Sequence, residues 1–317
     1  MFTRGVNLVK ETRVTVNDRE IKLTNLDKPI WPERLNKAHL VRYYSDIAPY
    51  ILPHLYNRPV VMKRYPDGLE GEPFFQKECP DYAPEWVKRQ PVEHTEKVVN
   101  YIICNDEATL VWIANQACIE MHAWLARIEN LESPDLAVMD LDPAEGSTFA
   151  DALEISLLVR KALDEFGLKS YLKTSGASGV HLFVPIKPGY SWVQVTGAMK
   201  YIAEIVAEAY PEKATTERKV EKRKGKVYLD YLQNGRGKTM AFQYSLRPLP
   251  GAPVSTPLHW WEVERGGIHP QNFNIQTIFT RLIEYGDIYL NVLTERQSMD
   301  ELISTVTKKI LPARRKK

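Results

Sequence analysis

Cysteine is scarce in this 317-residue chain. Cys79, Cys104 and Cys118 are the whole supply, and no two of them stand as Cys-x-x-Cys. Neither a disulfide framework nor a zinc module is indicated. Long apolar runs are missing too, so no segment reads as a membrane-spanning helix. The opening Met1-Phe-Thr-Arg-Gly-Val-Asn7 has no apolar core of the signal-peptide kind. No internal repeat is visible. A strong excess of one charge is also lacking: the net charge is +2, so the whole chain is not a polycation. Its basic residues are gathered instead into Lys219-Val-Glu-Lys-Arg-Lys-Gly-Lys226, the tail Pro312-Ala-Arg-Arg-Lys-Lys317 and the pair Lys63-Arg64. Such clusters suit phosphate backbones through counterion release. They equally suit a solvated loop and a solvated tail. The profile is that of a soluble intracellular protein, long enough to bury a sizeable core as one large or two smaller domains.

What is present starts with Pro134-Asp-Leu-Ala-Val-Met-Asp-Leu-Asp-Pro143. The apolar run from Leu136 to Leu141 reads as a buried strand, ended by Pro143. Residues two apart on a strand share a face, so Asp140 and Asp142 project together. Two carboxylates that close repel, and one stays protonated unless a cation sits between them. Oxygen ligands of this kind suit Mg²⁺ or Mn²⁺. A polar turn at a strand end would give the same pattern. A third acid, Asp230, lies inside the apolar run Lys226-Val-Tyr-Leu-Asp-Tyr-Leu232. An unpaired acid buried in a strand is costly and needs a partner. Three carboxylates from two strands would make a two-metal site for phosphoryl displacement. Between these strands lies Thr174-Ser-Gly-Ala-Ser-Gly-Val-His181. Its glycines and serines let backbone N–H groups turn toward an anion, as in phosphate nests. A tight hairpin with a structural histidine is the alternative.

The coarse layout mixes helix and strand. Residues 12–23 read as a hairpin with an Asn17-Asp18 turn. Helical periodicity covers 36–56, and 105–128 reads as one long helix with acids in its first turn. That places His122 in the last third of a helix. Further helices are expected over 148–166, stopped by Gly167, and from Ser191 to about residue 210, with Ser191 and Gln194 spaced as a capping box. Short helices are expected near 275–285 and 297–306. The strands at 136–142 and 170–174 with their helix form one β-α-β unit. The strands at 181–186 and 226–232 with theirs form a second.

In order, Asp140-x-Asp142, Ser175-Gly-x-x-Gly-x-His181 and Asp230 resemble the signature of the archaeo-eukaryotic primase superfamily. Thr24-Asn-Leu-Asp-Lys28-Pro-Ile-Trp-Pro32, Lys63-Arg-Tyr-Pro-Asp-Gly68, Phe74-Phe-Gln-Lys77, His122 and Tyr244-Ser-Leu-Arg247 narrow the resemblance to the polymerase domain of bacterial DNA ligase D. It runs from about residue 15 to about residue 300. It implies an α+β, two-lobed fold: an N-terminal α/β lobe over 1–130, and over 131–300 a lobe like an RNA-recognition motif, with helices flanking an antiparallel or mixed sheet. Residues 301–317 would be a C-terminal segment with a basic tail. The implied activity is gap-filling and end-extending nucleotidyl transfer in non-homologous end joining, from ribo- or deoxyribonucleoside triphosphates to a primer 3′-hydroxyl.

The resemblance also distributes roles. Asp140, Asp142 and Asp230 hold two Mn²⁺ or Mg²⁺ ions. Ser175, Gly176, Gly179 and His181 cradle phosphates, and Ser175 and Lys63 lie near the ribose 2′-hydroxyl. Arg247, assisted by Lys238, neutralises the triphosphate, and His122 lines the nucleotide pocket. Phe75 stacks at the nucleotide and Phe74 at the template, with Arg64 on the DNA side. Lys28 and Lys37, helped by Asn25, hold the 5′-phosphate of a gap. Arg223 contacts DNA and nucleotide, and residues 79–100 form a protruding loop that aligns DNA ends. The implied partners are DNA ends, gapped DNA, a Ku homodimer and an ATP-dependent DNA ligase. The implied location is the cytoplasm, at the nucleoid and not at a membrane. There are two departures. Ser178 stands where the family frequently carries Lys. No ligase or nuclease module follows, so the ligase is expected as a separate polypeptide, or the chain is an excised domain. A primase would use the same residues for chemistry. A non-catalytic binding module has no use for three acids and a phosphate loop, and a nuclease needs neither the glycine loop nor Arg247.

Overall fold

The computed structural model describes residues 11–314, and side chains as far as residue 309. Residues 1–7 and the side chains of the basic tail at 312–317 lie outside the described residues. The first hairpin is as expected. β1 (Glu11–Val16) and β2 (Arg19–Thr24) pair antiparallel, and Asn17 and Asp18 turn between them with φ of 47° and 60°. Positive φ at both turn residues matches the twist of the strands, and Asn and Asp tolerate it. α1 (Lys37–Asp46), capped by Asn36, and α2 (Ala48–Leu55) fill the first helical region.

The next five strands are β3 (Pro59–Arg64), β4 (Phe74–Gln76), β5 (Arg89–Glu93), β6 (Val98–Ile103) and β7 (Cys118–Trp124). The segment expected as a protruding loop at 79–100 contains most of the β5–β6 hairpin at one sheet edge. The long helix expected over 105–128 is corrected. α3 (Glu107–Asn115) begins as foreseen, with the Asp106 side chain accepting from Thr109 N at 2.8 Å, but it stops at Asn115. Ala117 takes φ 57° and the chain continues as β7, so His122 stands on a strand. An apolar run buried on both faces has no period that separates helix from strand. The breaker here is alanine in a position glycine usually marks.

The second half supplies β8 (Leu136–Pro143), α4 (Phe149–Asp164), β9 (Tyr171–Thr174), β10 (Val180–Pro185), α5 (Trp192–Ala209), β11 (Ala214–Thr215), β12 (Val227–Asp230), β13 (Thr239–Ala241) and β14 (Pro257–Leu258). It closes with α6 (Trp260–Arg265), α7 (Ile278–Tyr285), α8 (Leu290–Thr294) and α9 (Asp300–Arg314). Thr148 and Ser191 cap α4 and α5 through complete capping boxes. Among the described residues no helix is long and apolar enough to cross a membrane.

One six-stranded sheet runs β11-β12-β8-β10-β9-β14. Both expected β-α-β units are present, but interleaved. β10 lies between β8 and β9, and β8 lies between β10 and β12, each antiparallel to its neighbours. This is the split arrangement of an RNA-recognition-like core. The other sheet runs β13-β7-β3-β6-β5, with β4 also on β3. Its edge strand β13 therefore returns from late in the chain, and Phe242, Tyr244, Ile278 and Tyr289 join the first core with it.

Alternation along β8 prepares the site. Ala137, Met139 and Leu141 face α4 and α5 and belong to the second core. Leu136 and Val138 point the other way and join the first core. Continuing that second face by twos gives Asp140 and Asp142. The seam between the cores is thus apolar at 136 and 138 and becomes acidic where it opens. Asn234 holds the strand there, accepting from Val138 N at 2.8 Å and donating to Val138 O at 2.7 Å.

Candidate functional site

Register across the second sheet aligns one residue from each of four strands. Asp140 on β8 stands opposite Asp230 on β12 and opposite His181 on β10, and His181 stands opposite Lys173 on β9. Directly opposed residues share a face. Asp142 extends the row by one step along β8, opposite Tyr228. The acids and His181 are therefore brought together as the sequence suggested.

Electrostatics make the cluster unfavourable as it stands. Burial, then the charges of Asp142 and Asp230, push the Asp140 carboxyl well above its usual range. Burial and Asp230 raise Asp142, against the pull of Arg223 and Arg247. Asp140 Oδ1 is buried with no aligned hydrogen bond. His181 Nε2 is 3.2 Å away but poorly directed. Asp230 is turned to its own next turn, accepting from Leu232 N at 2.9 Å and Gln233 Nε2 at 2.8 Å. Among the described residues no three acidic, histidine or cysteine side chains already converge as a finished metal cage. An orphaned buried oxygen and two carboxyls pressed toward protonation fit a divalent cation, which would relieve both conditions.

The glycine turn is wedged against the acids. Ser175 Oγ accepts from Ala177 N at 3.0 Å and Gly179 N at 3.1 Å, which curls the turn. Gly176 has φ 76°, and a Cβ there would stand 2.6 Å from Arg247 Cγ. A Cβ on Gly179 would press on the Leu141 carbonyl and stand 3.3 Å from Asp142 Oδ1. Ser178, at the family's frequent lysine position, lines the same cleft of about 290 Å³ as His122, Asp140, Asp142, His181 and Arg247. A larger cleft of about 530 Å³ lies beside the β5–β6 hairpin, between Lys77, His94, Lys97 and Arg236. None of its lining residues belongs to the acid row, so the chemistry is assigned to the smaller one.

The opposite wall comes from the first sheet and holds a residue the sequence reading missed. Glu120 on β7 is 1 % exposed and receives Lys63 Nζ at 2.7 Å, Tyr65 OH at 2.8 Å and His122 Nε2 at 3.4 Å, while Arg247 Nε stands 3.1 Å away as an ion pair without an aligned hydrogen bond. Burial alone would raise its carboxyl. The His122 hydrogen bond, the Arg247 charge and Lys63 instead hold it far below the usual range. Burial lowers the His122 imidazole, against the pull of Glu120. Arg247 is delivered by a tightly stitched segment. Tyr244, at φ 65°, accepts from Tyr43 OH at its carbonyl, and Ser245 Oγ accepts from Met121 N at 2.9 Å. The only sequence signal for Glu120 was a lone acid in a buried run.

The aromatic pair sits at the mouth. Phe75 is 55 % exposed, meets His122 edge-on at 5.4 Å between centroids, and carries Lys63 Nζ at 5.3 Å. Phe74, on the other face of β4, lies under the Arg64 guanidinium at 5.2 Å. Arg64 is also tied to Gln116 O at 2.8 Å and Gln76 Oε1 at 2.7 Å. A separate basic group lies at the start of α1. Lys37 N donates to Lys28 O at 2.9 Å, which brings the two lysines together. Lys37 is buried, its ammonium on Thr24 O at 2.7 Å, and burial with the charges of Arg64 and Lys28 pushes it down to about 8. Lys28 is paired with Asp67 at 2.7 Å, and Asn25 is exposed at φ 52°. Arg223 lies 3.5 Å over the Tyr228 ring at the acid side of the cleft. Lys238 is exposed and does not line the cleft.

Fold and site define a class: a split β-α-β core of the RNA-recognition type, with acids on adjacent strands, a glycine turn and a wall of cations. Residues 36–289 match the family described as the LigD primase-polymerase domain. The chain is 35% identical over 289 residues to the bifunctional non-homologous end joining protein LigD of Bacillus subtilis, a match covering 90% of this chain and 46% of that protein. It is 34% identical over 285 residues to the multifunctional LigD of Mycolicibacterium smegmatis, covering 89% of this chain and 37% of that one. The solved polymerase domain from Mycobacterium tuberculosis ligase D, in complex with DNA, superposes with a TM-score of 0.80 at 30% identity, covering 87% of this chain and 99% of that one. The chain belongs to the LigD primase-polymerase domain family, and it spans less than half the length of these curated relatives.

Proposed function

We propose that this chain is the repair polymerase of bacterial-type non-homologous end joining, adding nucleotides to a primer 3′-hydroxyl at gaps and broken ends. The observation that carries the reading is the row Asp230–Asp140–His181 on one sheet face, closed by the glycine turn and faced by Lys63 and Arg247. Asp140, Asp142 and Asp230 would hold two divalent ions, Mn²⁺ or Mg²⁺, which supply charge stabilisation for the attacking and leaving oxygens. Asp230 reaches them by giving up its hold on Leu232 N and Gln233. The turn at 175–179 presents N–H groups to phosphate. Arg247 exchanges part of its Glu120 pairing for the triphosphate, to which a forked guanidinium is suited. Phe75 and Phe74 offer stacking faces to bases, and Arg223 and Lys238 meet DNA or nucleotide from the rim.

Sugar choice falls to Ser175 and Lys63. The Ser175 oxygen already accepts two backbone bonds, which leaves its proton free to donate to a ribose 2′-hydroxyl. A pocket built around that bond favours ribonucleotides over deoxyribonucleotides. Lys28, Lys37 and Asn25, with Arg64 behind them, would take a downstream 5′-phosphate. On the same reading the partners are DNA ends, a Ku homodimer and an ATP-dependent ligase, fused or separate, at the nucleoid in the cytoplasm. The deciding experiment is extension of a gapped duplex, with and without the 5′-phosphate, comparing NTPs and dNTPs in Mn²⁺ and Mg²⁺. Phosphate-stimulated, ribonucleotide-favouring extension supports the reading. Primer-free synthesis indifferent to the phosphate would support a primase instead.

A further inference from the structure

α1 enters the first core with two adjacent tyrosines, and both hydroxyls go to the segment that delivers Arg247. Tyr43 and Tyr44 are buried. Tyr43 OH donates to Tyr244 O at 2.8 Å. Tyr44 OH makes two bonds, donating to Ile119 O and accepting from Leu246 N at 3.1 Å. Ile119 is the residue before Glu120, and Leu246 is the residue before Arg247. One hydroxyl therefore bridges the two backbones that carry the Glu120–Arg247 ion pair. The bridge takes over where the strand ladder ends. β13 pairs with β7 as far as Ala241 opposite His122, and a bond from Phe242 N to Met121 O closes the ladder. The chain then turns at Tyr244, and side chains do the joining: Ser245 Oγ takes Met121 N, and Tyr44 OH takes Ile119 O and Leu246 N.

We infer that Tyr44 is a positioning residue of the nucleotide site, its hydroxyl setting how Arg247 stands against Glu120 and so where the guanidinium meets the triphosphate. Glu120 sits on a strand held between β3 and β13, whereas Arg247 follows a segment that belongs to neither sheet. Their ion pair has no aligned hydrogen bond at Arg247 Nε, so the pair by itself leaves the arginine free to slide. The backbone has to fix it. Arg247 N donates to Pro253 O at 2.8 Å on one side, and Tyr44 supplies the hold on the β7 side. A forked guanidinium gains its strength from geometry, which makes a small slide costly. Burial holds the Tyr44 phenol far above its usual range, so the hydroxyl remains both donor and acceptor. Tyr43 provides the comparison. It lies on the same helix, equally deep in the core, and bonds the same segment three positions before Arg247. Tyr44 touches neither nucleotide nor metal, and its role rests on the polymerase reading.

The test pairs Tyr44→Phe with Tyr43→Phe, each losing one buried hydroxyl. Amide exchange resolved to single residues should be slow at Leu246 in the wild type. Tyr44→Phe should release that amide, and Tyr43→Phe should leave it slow. Both variants should lose a similar amount of Tm. In steady-state extension of a gapped duplex, Tyr44→Phe should raise the KM for ATP about tenfold, the size of a weakened hydrogen bond to a charged group. Its kcat should change much less, and Tyr43→Phe should keep a KM near that of the wild type. Equilibrium binding of ATP with Mn²⁺, a readout that needs no turnover, should weaken in step with KM. In an Arg247→Gln background Tyr44→Phe should add little, because it acts through the arginine. Fast exchange at Leu246 in the wild type overturns the inference and needs no variant. So does a Leu246 amide that stays slow in Tyr44→Phe, an equal rise in KM in both single variants, or losses that multiply in the double variant. If the wild type extends no primer, the polymerase reading falls, while exchange and ATP binding still decide the role of Tyr44.

Discussion

Asp140 and Asp142 carry the cost of the site at the scale of single residues. Asp140 is buried, Asp142 is half-buried, and both are pressed toward protonation, so removing either should stabilise the metal-free protein while ending catalysis. Asp140→Asn and Asp142→Asn should bring extension to background, with DNA affinity in an anisotropy titration nearly unchanged, because that affinity comes from the basic contacts. The same variants should lose the rise in Tm that Mn²⁺ or Mg²⁺ gives the wild type. That rise is worth roughly 2.7 kcal/mol when the ion is at 100 times its Kd. An undiminished rise in both variants would move the metal elsewhere. The acid pair was legible because period two on an apolar strand puts both side chains on one face. Glu120 and Lys173 were not. A single charge inside a buried strand has meaning only through partners from distant segments, and Glu120 gathers Lys63 and Arg247 from far apart in sequence. Glu120→Gln should loosen those cations, raising the KM for nucleotide more than it lowers kcat in steady-state extension.

The glycine turn shows how one secondary element constrains its neighbour. Gly179 lies so close to the Leu141 carbonyl that a methyl group cannot enter without moving the end of β8. Gly179→Ala should therefore displace the acid pair as well as the turn. Extension should fall by a factor on the order of 100 or more, since misplacing reactants by about 1 Å costs about that much. Circular dichroism should stay native. Wild-type extension in Gly179→Ala would show that the turn and the acids are not coupled. Ser175→Ala acts on the turn too, because the hydroxyl holds two of its N–H groups. It should slow both NTP and dNTP addition in single-turnover assays, and NTP addition more. Elements with local signals were legible: the Asn17-Asp18 turn and the capping box at Ser191 both stand. α3 and β7 were merged because nothing between Asn115 and Cys118 announces a break. Only packing on both faces makes 118–124 a strand.

Across the whole molecule, the cations at the start of α1 lie outside the sheet that carries the acid row, and binding and catalysis should separate accordingly. Lys37 titrates near 8 in the folded chain, pressed down by burial and by its basic neighbours. Its charge is present below that pH and lost above it, whereas a terminal phosphate, with its second pKa near 6, gains nothing further. The preference for a 5′-phosphorylated gap over a 5′-hydroxyl gap should thus shrink between about pH 7 and pH 9 at constant ionic strength. Lys37→Ala should flatten that dependence, Lys28→Ala should lower affinity and keep it, and extension on an open primer-template should barely change. A pH-independent preference in the wild type would remove Lys37 from the phosphate site. The two-lobed plan was legible from the ordered motifs, but not the return of β13 to the first sheet, since three residues of strand carry no periodicity. That return has a consequence for the birth of the protein. β7 leaves the ribosome on the order of 100 residues before the strand that covers its edge, which at roughly 5–20 residues per second is on the order of 10 s of waiting. Strands β8, β10, β9 and β12 of the later sheet can pair while the earlier one still has an open, apolar edge. During biosynthesis the nascent first sheet, waiting for β13, is thus the stretch most in need of a chaperone.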